Sequence, residues 1–160
     1  MSISLEKLML HMAWANQHIY KEISKLPNEA LKAFITNEDW TVSEILFHIA
    51  RFADELGCRI NGAKLLDIKP ALNMETLLDL ANKLIKFDSA LLELAKLPEQ
   101  VVEVKREGVI THWQASTILS QSIHHATEHR AQAIAALEFR GFNAPKLDNY
   151  DLWAYECSTK

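Results

Sequence analysis

Four stretches of the chain repeat apolar residues at helical spacing. In the first, Leu5, Leu8, Met12, Ile19, Ile23 and Leu26 fall on one face, and Pro27 stops the run. The second opens at TVSE, where Thr41 and Glu44 predict a capping box. Val42, Ile45, Ile49, Phe52, Leu56 and Ile60 continue it as a stripe, and Gly62 and Pro70 bracket the next connection. The third starts near Asn73, a good N-cap, and presents Leu77, Ala81, Leu84, Ile85, Leu91, Leu92 and Ala95 before Pro98 closes it. Residues 99–110 alternate weakly and are rich in β-branched side chains, which predicts an extended segment too short to build a sheet. A last helix is predicted from THWQ, with Thr111 and Gln114 as a second capping box, to about Arg140, with Gly141 as its C-cap. The aromatic tail (Phe142, Tyr150, Trp153, Tyr155) is expected to fold back on the helices.

Four amphipathic helices without an internal repeat predict an all-α fold, a four-helix bundle forming one domain over residues 1–160. The second and third connections are too long for tight up-and-down turns, so crossovers are expected there. Two polar residues break the apolar faces. Asn16 needs a partner, either an ordinary buried hydrogen bond or a contact in a site. Asp88 is either a site carboxylate or, more commonly for such a position, a locally solvated or paired acid.

Composition narrows the picture further. The 160 residues include only four Gly and four Pro, which disfavours a turn-rich β fold. A net charge of −4 with no basic run argues against nucleic-acid binding through phosphates. No stretch approaches the roughly 18 apolar residues of a membrane span. MSISLEKLMLHMAW carries Glu6 within its apolar region and lacks a small-residue cleavage site, so no signal peptide is expected. Cys58 and Cys157 lie in no motif and are read as free thiols of a reducing cytoplasm.

The chemistry concentrates in SIHHATEHRAQ, residues 122–132. At about 100° per residue, His125 and His129 stand one turn apart at the edge of the apolar face, beside Gln114, Gln121 and Gln132. His124 points the other way, to the surface. His48 sits just off the stripe of the second helix. A single histidine so placed is usually a satisfied boundary residue. Two helices that each turn a histidine edge inward change the balance, because bundle metal sites are built from facing helices. Three neutral imidazoles suit Zn²⁺, Ni²⁺, Fe²⁺ or Cu²⁺. Three protein ligands leave a coordination position open, the pattern of a catalytic site and not of a closed structural one.

HATEH also matches H-x-x-E-H, the inverted zinc-protease motif, with Glu128 as general base. That reading is disfavoured. The chain leaves little room downstream for the further ligand or for a peptide cleft, and Glu128 turns further from the core than either histidine.

Taken in order, MAWANQ (12–17), TVSEILFHIARFADEL (41–56), HATEHRAQ (125–132) and LEFRGFNAPKLDNYDLWAY (137–155) resemble the DinB-like (DinB/YfiT) metalloenzyme family over nearly the whole chain. The resemblance implies a bundle with a metal held by His48, His125 and His129. One departure is Ala131, where many members have Gly in an H-R-G-Q segment. Family members resemble transferases or isomerases that use low-molecular-weight thiols, while others are described as hydrolases or as DNA-damage-inducible. The first hypothesis is therefore a cytoplasmic enzyme carrying a divalent transition metal, Zn or Ni first and Fe next. It would act on a small molecule by thiol transfer or hydrolysis, through a metal-bound thiolate or water, with a low-molecular-weight thiol as the candidate co-substrate. Asn16 and Gln132 would either orient the bound group or hydrogen-bond the ligands and backbone. The alternative is a non-catalytic metal-binding or interaction bundle of the damage-inducible type. A third reading is a histidine edge without a physiological metal. The aromatic tail leaves room for a homodimer.

Overall fold

The computed structural model describes residues 4–160, and of Arg106 the backbone alone; residues 1–3 of the N-terminal segment discussed above lie outside the described residues. The elements are α1 (Leu5–Ile23), α2 (Val42–Asn61), α3 (Met74–Leu94), the strands β1 (Val101–Arg106) and β2 (Val109–Gln114), α4 (Ala115–Phe139) and a short α5 (Leu152–Ser158). Two 3₁₀ turns, Asn28–Lys32 and Leu147–Tyr150, lie in the connections. The fold is mostly helical, as the periodicity predicts. No described helix is long and apolar enough to cross a membrane.

Local chemistry explains most helix ends. The Thr41 side chain accepts the Glu44 amide, one half of the predicted box. Asn73 accepts the amide of Thr76, whose hydroxyl in turn accepts the Asn73 amide, so this box closes both ways. Gly62 ends α2 in the left-handed region at φ 73°. Gly141, at φ 77°, follows α4 as the C-cap pattern predicts.

The start of α4 differs from the expectation. Thr111 to Gln114 belong to β2, which pairs antiparallel with β1 in the register Val101↔Gln114 to Arg106↔Val109. The predicted box at THWQ is therefore absent, and Gln114 makes no side-chain cap. Its work is done from the chain before β1: Glu99 Oε1 accepts the Ser116 amide at 3.1 Å, and the Gln100 carbonyl accepts the Ala115 amide at 2.9 Å. The extended segment is thus a complete hairpin, turning at Glu107 and Gly108, both at positive φ.

In space, α1 packs on α3 and α4, and α2 packs on the same two helices. Chain neighbours α1 and α2 thus lie diagonally, as do α3 and α4. Crossovers occur in the first and third connections, whereas the second, expected to cross, joins adjacent helices. That second connection is tied down by α2. Arg51 donates to the Leu66 and Ile68 carbonyls, Asp54 accepts the Leu66 amide, and Ser43 donates to the Ala71 carbonyl. Met12, Ile19, Ile45, Ile49, Leu84, Leu91, Leu119 and Leu137 meet in the core. The tail packs on α1, with Tyr150 and Tyr155 against Trp14, while Trp153 stays 81% exposed.

Candidate metal centre

Because α2 and α4 are packed side by side, their histidine edges face each other. His48, His125 and His129 come together with one nitrogen each within 4.8 Å of the others. The Nε2 atoms of His48 and His125 are 3.0 Å apart. Among the described residues no carboxylate or thiol joins the group. His124 and Glu128 are exposed on the outer side of α4, as the helical phase predicts.

Environment favours the neutral form of His48 and His125. Burial first, then the neighbouring His129 and His48, push the His125 pKa down to about 3. Burial and His129 lower His48 as well. Two imidazolium ions 3.0 Å apart would repel by roughly 5 kcal/mol at an effective dielectric of about 20, so the rings are not both charged, and one ring's N–H donates to the other's bare nitrogen. Neutral imidazole is also the form that ligates a metal.

The tautomer of His129 follows from its partner. The indole Nε1–H of Trp40, which can only donate, points at Gln132 Oε1 at 3.2 Å. His129 Nδ1 lies 2.8 Å from the same acceptor and must also donate. Its Nε2 therefore carries the free lone pair. Gln132, singled out in the sequence, thus orients His129. Asn16 sits elsewhere: it is buried between Asp88 and Arg130, donating to Asp88 Oδ2 at 2.9 Å and accepting from Arg130 Nη1 at 2.6 Å.

Two aromatic side chains complete the walls. Phe52 stacks on His125 with centroids 3.6 Å apart and planes at 18°. Trp40 meets His48 and His129 edge-on. Sequence reasoning placed Phe52 in the apolar stripe and passed over Trp40. The available hint was an indole immediately before the N-cap of the helix that bears His48. Beyond Phe52 lies a groove of about 620 Å³ between α2, the hairpin and α4. It is lined mainly by apolar groups, including Leu56, Val104, Val109, Trp113 and Ile118.

The donor set suits a divalent metal. Tetrahedral ligation at the usual 2.0–2.1 Å spaces neighbouring nitrogens about 3.3 Å apart. The observed separations, from 3.0 Å to within 4.8 Å, bracket that value. The DinB family model matches residues 1–156. The chain belongs to the DinB family. No curated protein matches it.

Proposed function

We propose that this DinB-family chain is a metal-dependent enzyme acting on a small molecule, with His48, His125 and His129 as the ligands. The observation that carries the reading is the convergence of three imidazoles with no carboxylate or thiol beside them among the described residues. A catalytic site keeps a position open for substrate or solvent, whereas a structural site fills it. A divalent metal bound there, Zn or Ni before Fe, supplies Lewis acidity that lowers the pKa of a coordinated water or thiol. The chain's own residues bind and orient. Gln132 holds the His129 tautomer, Phe52 shields one face of His125, and the adjoining groove accepts the apolar body of the substrate.

Thiol transfer and hydrolysis both use this arrangement. The size and apolar lining of the groove favour an organic substrate with an apolar body over a small inorganic one. The crossed packing of the four long helices supports a four-helix-bundle architecture and a single domain over residues 1–160. Free Cys58 and Cys157 agree with a reducing cytoplasm. The non-catalytic alternative would gain support from a protein donor in the remaining position.

The test is elemental analysis of protein purified without a histidine tag. About one metal per chain is expected from a single such site. His48→Ala, His125→Ala and His129→Ala should each lose most of it, and His124→Ala should retain it. Equal loss in His124→Ala, or no metal even after reconstitution, would remove the assignment.

A further inference from the structure

Beside His125, a second, small cavity is lined by residues of α1, α2, α3 and α4. Its volume is about 10 Å³, and His125, Asp88, Asn16 and Ser122 are among its lining residues. That matches the space one water molecule needs, roughly 10–15 Å³. Asp88 is only 2% exposed, and its Oδ1 is the one buried side-chain polar atom without a partner among the described residues. Its other oxygen accepts from Asn16, which is in turn fixed by Arg130. The carboxylate therefore cannot swing away to find another donor. His125 also lines the cavity; it spends Nε2 on the His48 contact, and its Nδ1 has no hydrogen bond among the described residues.

We propose that one buried water bridges Asp88 Oδ1 and His125 Nδ1, which makes Asp88 a positioning residue for the metal centre from outside it. With Asp88 ionised, the water donates to its Oδ1 and accepts from His125 Nδ1–H. Ser122 Oγ, which already donates to the Leu119 carbonyl at 2.6 Å, can accept the second water hydrogen. Three partners are the usual complement of a buried water. The bridge places the His125 proton on Nδ1 and leaves Nε2 as the lone pair facing His48 and His129. It does for His125 what Gln132 does for His129. Carboxylates commonly orient ligand histidines this way, and their loss typically weakens metal binding by about 10–100-fold. The role in metal binding rests on the proposed function; the bridge itself does not.

The experiment is long-range ¹H–¹⁵N correlation of the histidine rings in metal-free, ¹⁵N-histidine-labelled protein above about pH 8, where Asp88 is ionised. The expected spectrum has His125 protonated at Nδ1 and His48 at Nε2. In Asp88→Asn, the new amide oxygen must accept from Asn16, so the amide N–H₂ faces the cavity and reverses the polarity of the bridge. His125 should then shift its proton to Nε2. Ala53→Val fills the cavity from α2 while leaving Asp88, Asn16 and Arg130 in place, and should abolish the Nδ1–H preference. If Asp88→Asn does not fold, Ala53→Val decides alone. A His125 Nε2–H tautomer in the unaltered protein, or an Nδ1–H preference that survives Ala53→Val, overturns the proposal. Because no metal is added, failure here leaves the metal assignment standing, and failure of metal binding leaves the bridge standing.

Discussion

Gln132 decides which nitrogen of His129 faces the centre, because one amide oxygen accepts both the Trp40 indole and His129 Nδ1. Gln132→Leu removes that acceptor at similar size. Zn²⁺ affinity, measured by competition with a chelator, should fall about 10–100-fold. Trp40→Phe removes only the indole N–H and keeps an aromatic edge beside His48 and His129, so its loss should stay below about tenfold. Unchanged affinity in Gln132→Leu would refute the tautomer argument. The helical phase alone distinguished His125 and His129 from His124, since one residue step turns a side chain by about 100°. Trp40 escaped notice because its importance comes from α4 lying opposite, which local spacing does not encode.

At the scale of elements, the hairpin matters most, since Val104, Val109, Thr111 and Trp113 form one wall of the groove. Its two-residue turn holds Glu107 at φ 51° and Gly108 at φ 82°. A Cβ at Gly108 would meet nothing within 4 Å, so the cost of Gly108→Ala is conformational and not steric. Urea unfolding should show a loss of about 1–2 kcal/mol. Amide exchange should accelerate in β1 and β2 while metal content stays unchanged. Equal acceleration in α2 and α4 would show that the hairpin is coupled to the helical core and is not a separable wall. The misplaced start of α4 has the same origin. Thr111 and Gln114 have the chemistry of a capping box, but pairing with β1 claims their backbone, and Glu99 caps the helix from a distance.

Across the whole molecule, the polar chain Arg130–Asn16–Asp88 ties α4 to α1 and α3 through the apolar core. Burial is the main cause that raises the Asp88 pKa from 3.8 to about 7, against the opposing pull of Asn16 and Arg130. The folded protein thus holds this proton more tightly than the unfolded chain does. The resulting stabilisation is full below about pH 4 and is lost as pH rises through about 7. Asp88→Asn mimics the protonated acid and should not share the loss. Between about pH 5 and about pH 8, its stability relative to the unaltered protein should rise by on the order of 2 kcal/mol in urea titrations. Parallel pH profiles for the two proteins would mean that Asp88 is ionised throughout, held by Arg130.

The sequence by itself determined the four long helices, most of their caps, and the helix faces on which His48, His125 and His129 lie. Each of these depends on residue spacing and local hydrogen bonding, which neighbours along the chain dictate. Tertiary structure decided the rest. The diagonal placement of α1 and α2 follows from how the apolar stripes pack together, and it brings Asn16 to Asp88 and Arg130 in the core. The pairing of α2 with α4 made a centre from histidines that are 77 residues apart in the chain. Asn16 and Asp88 looked like isolated polar intrusions in separate helices; only packing made them one network, because a buried polar atom takes whatever partner the fold brings within reach.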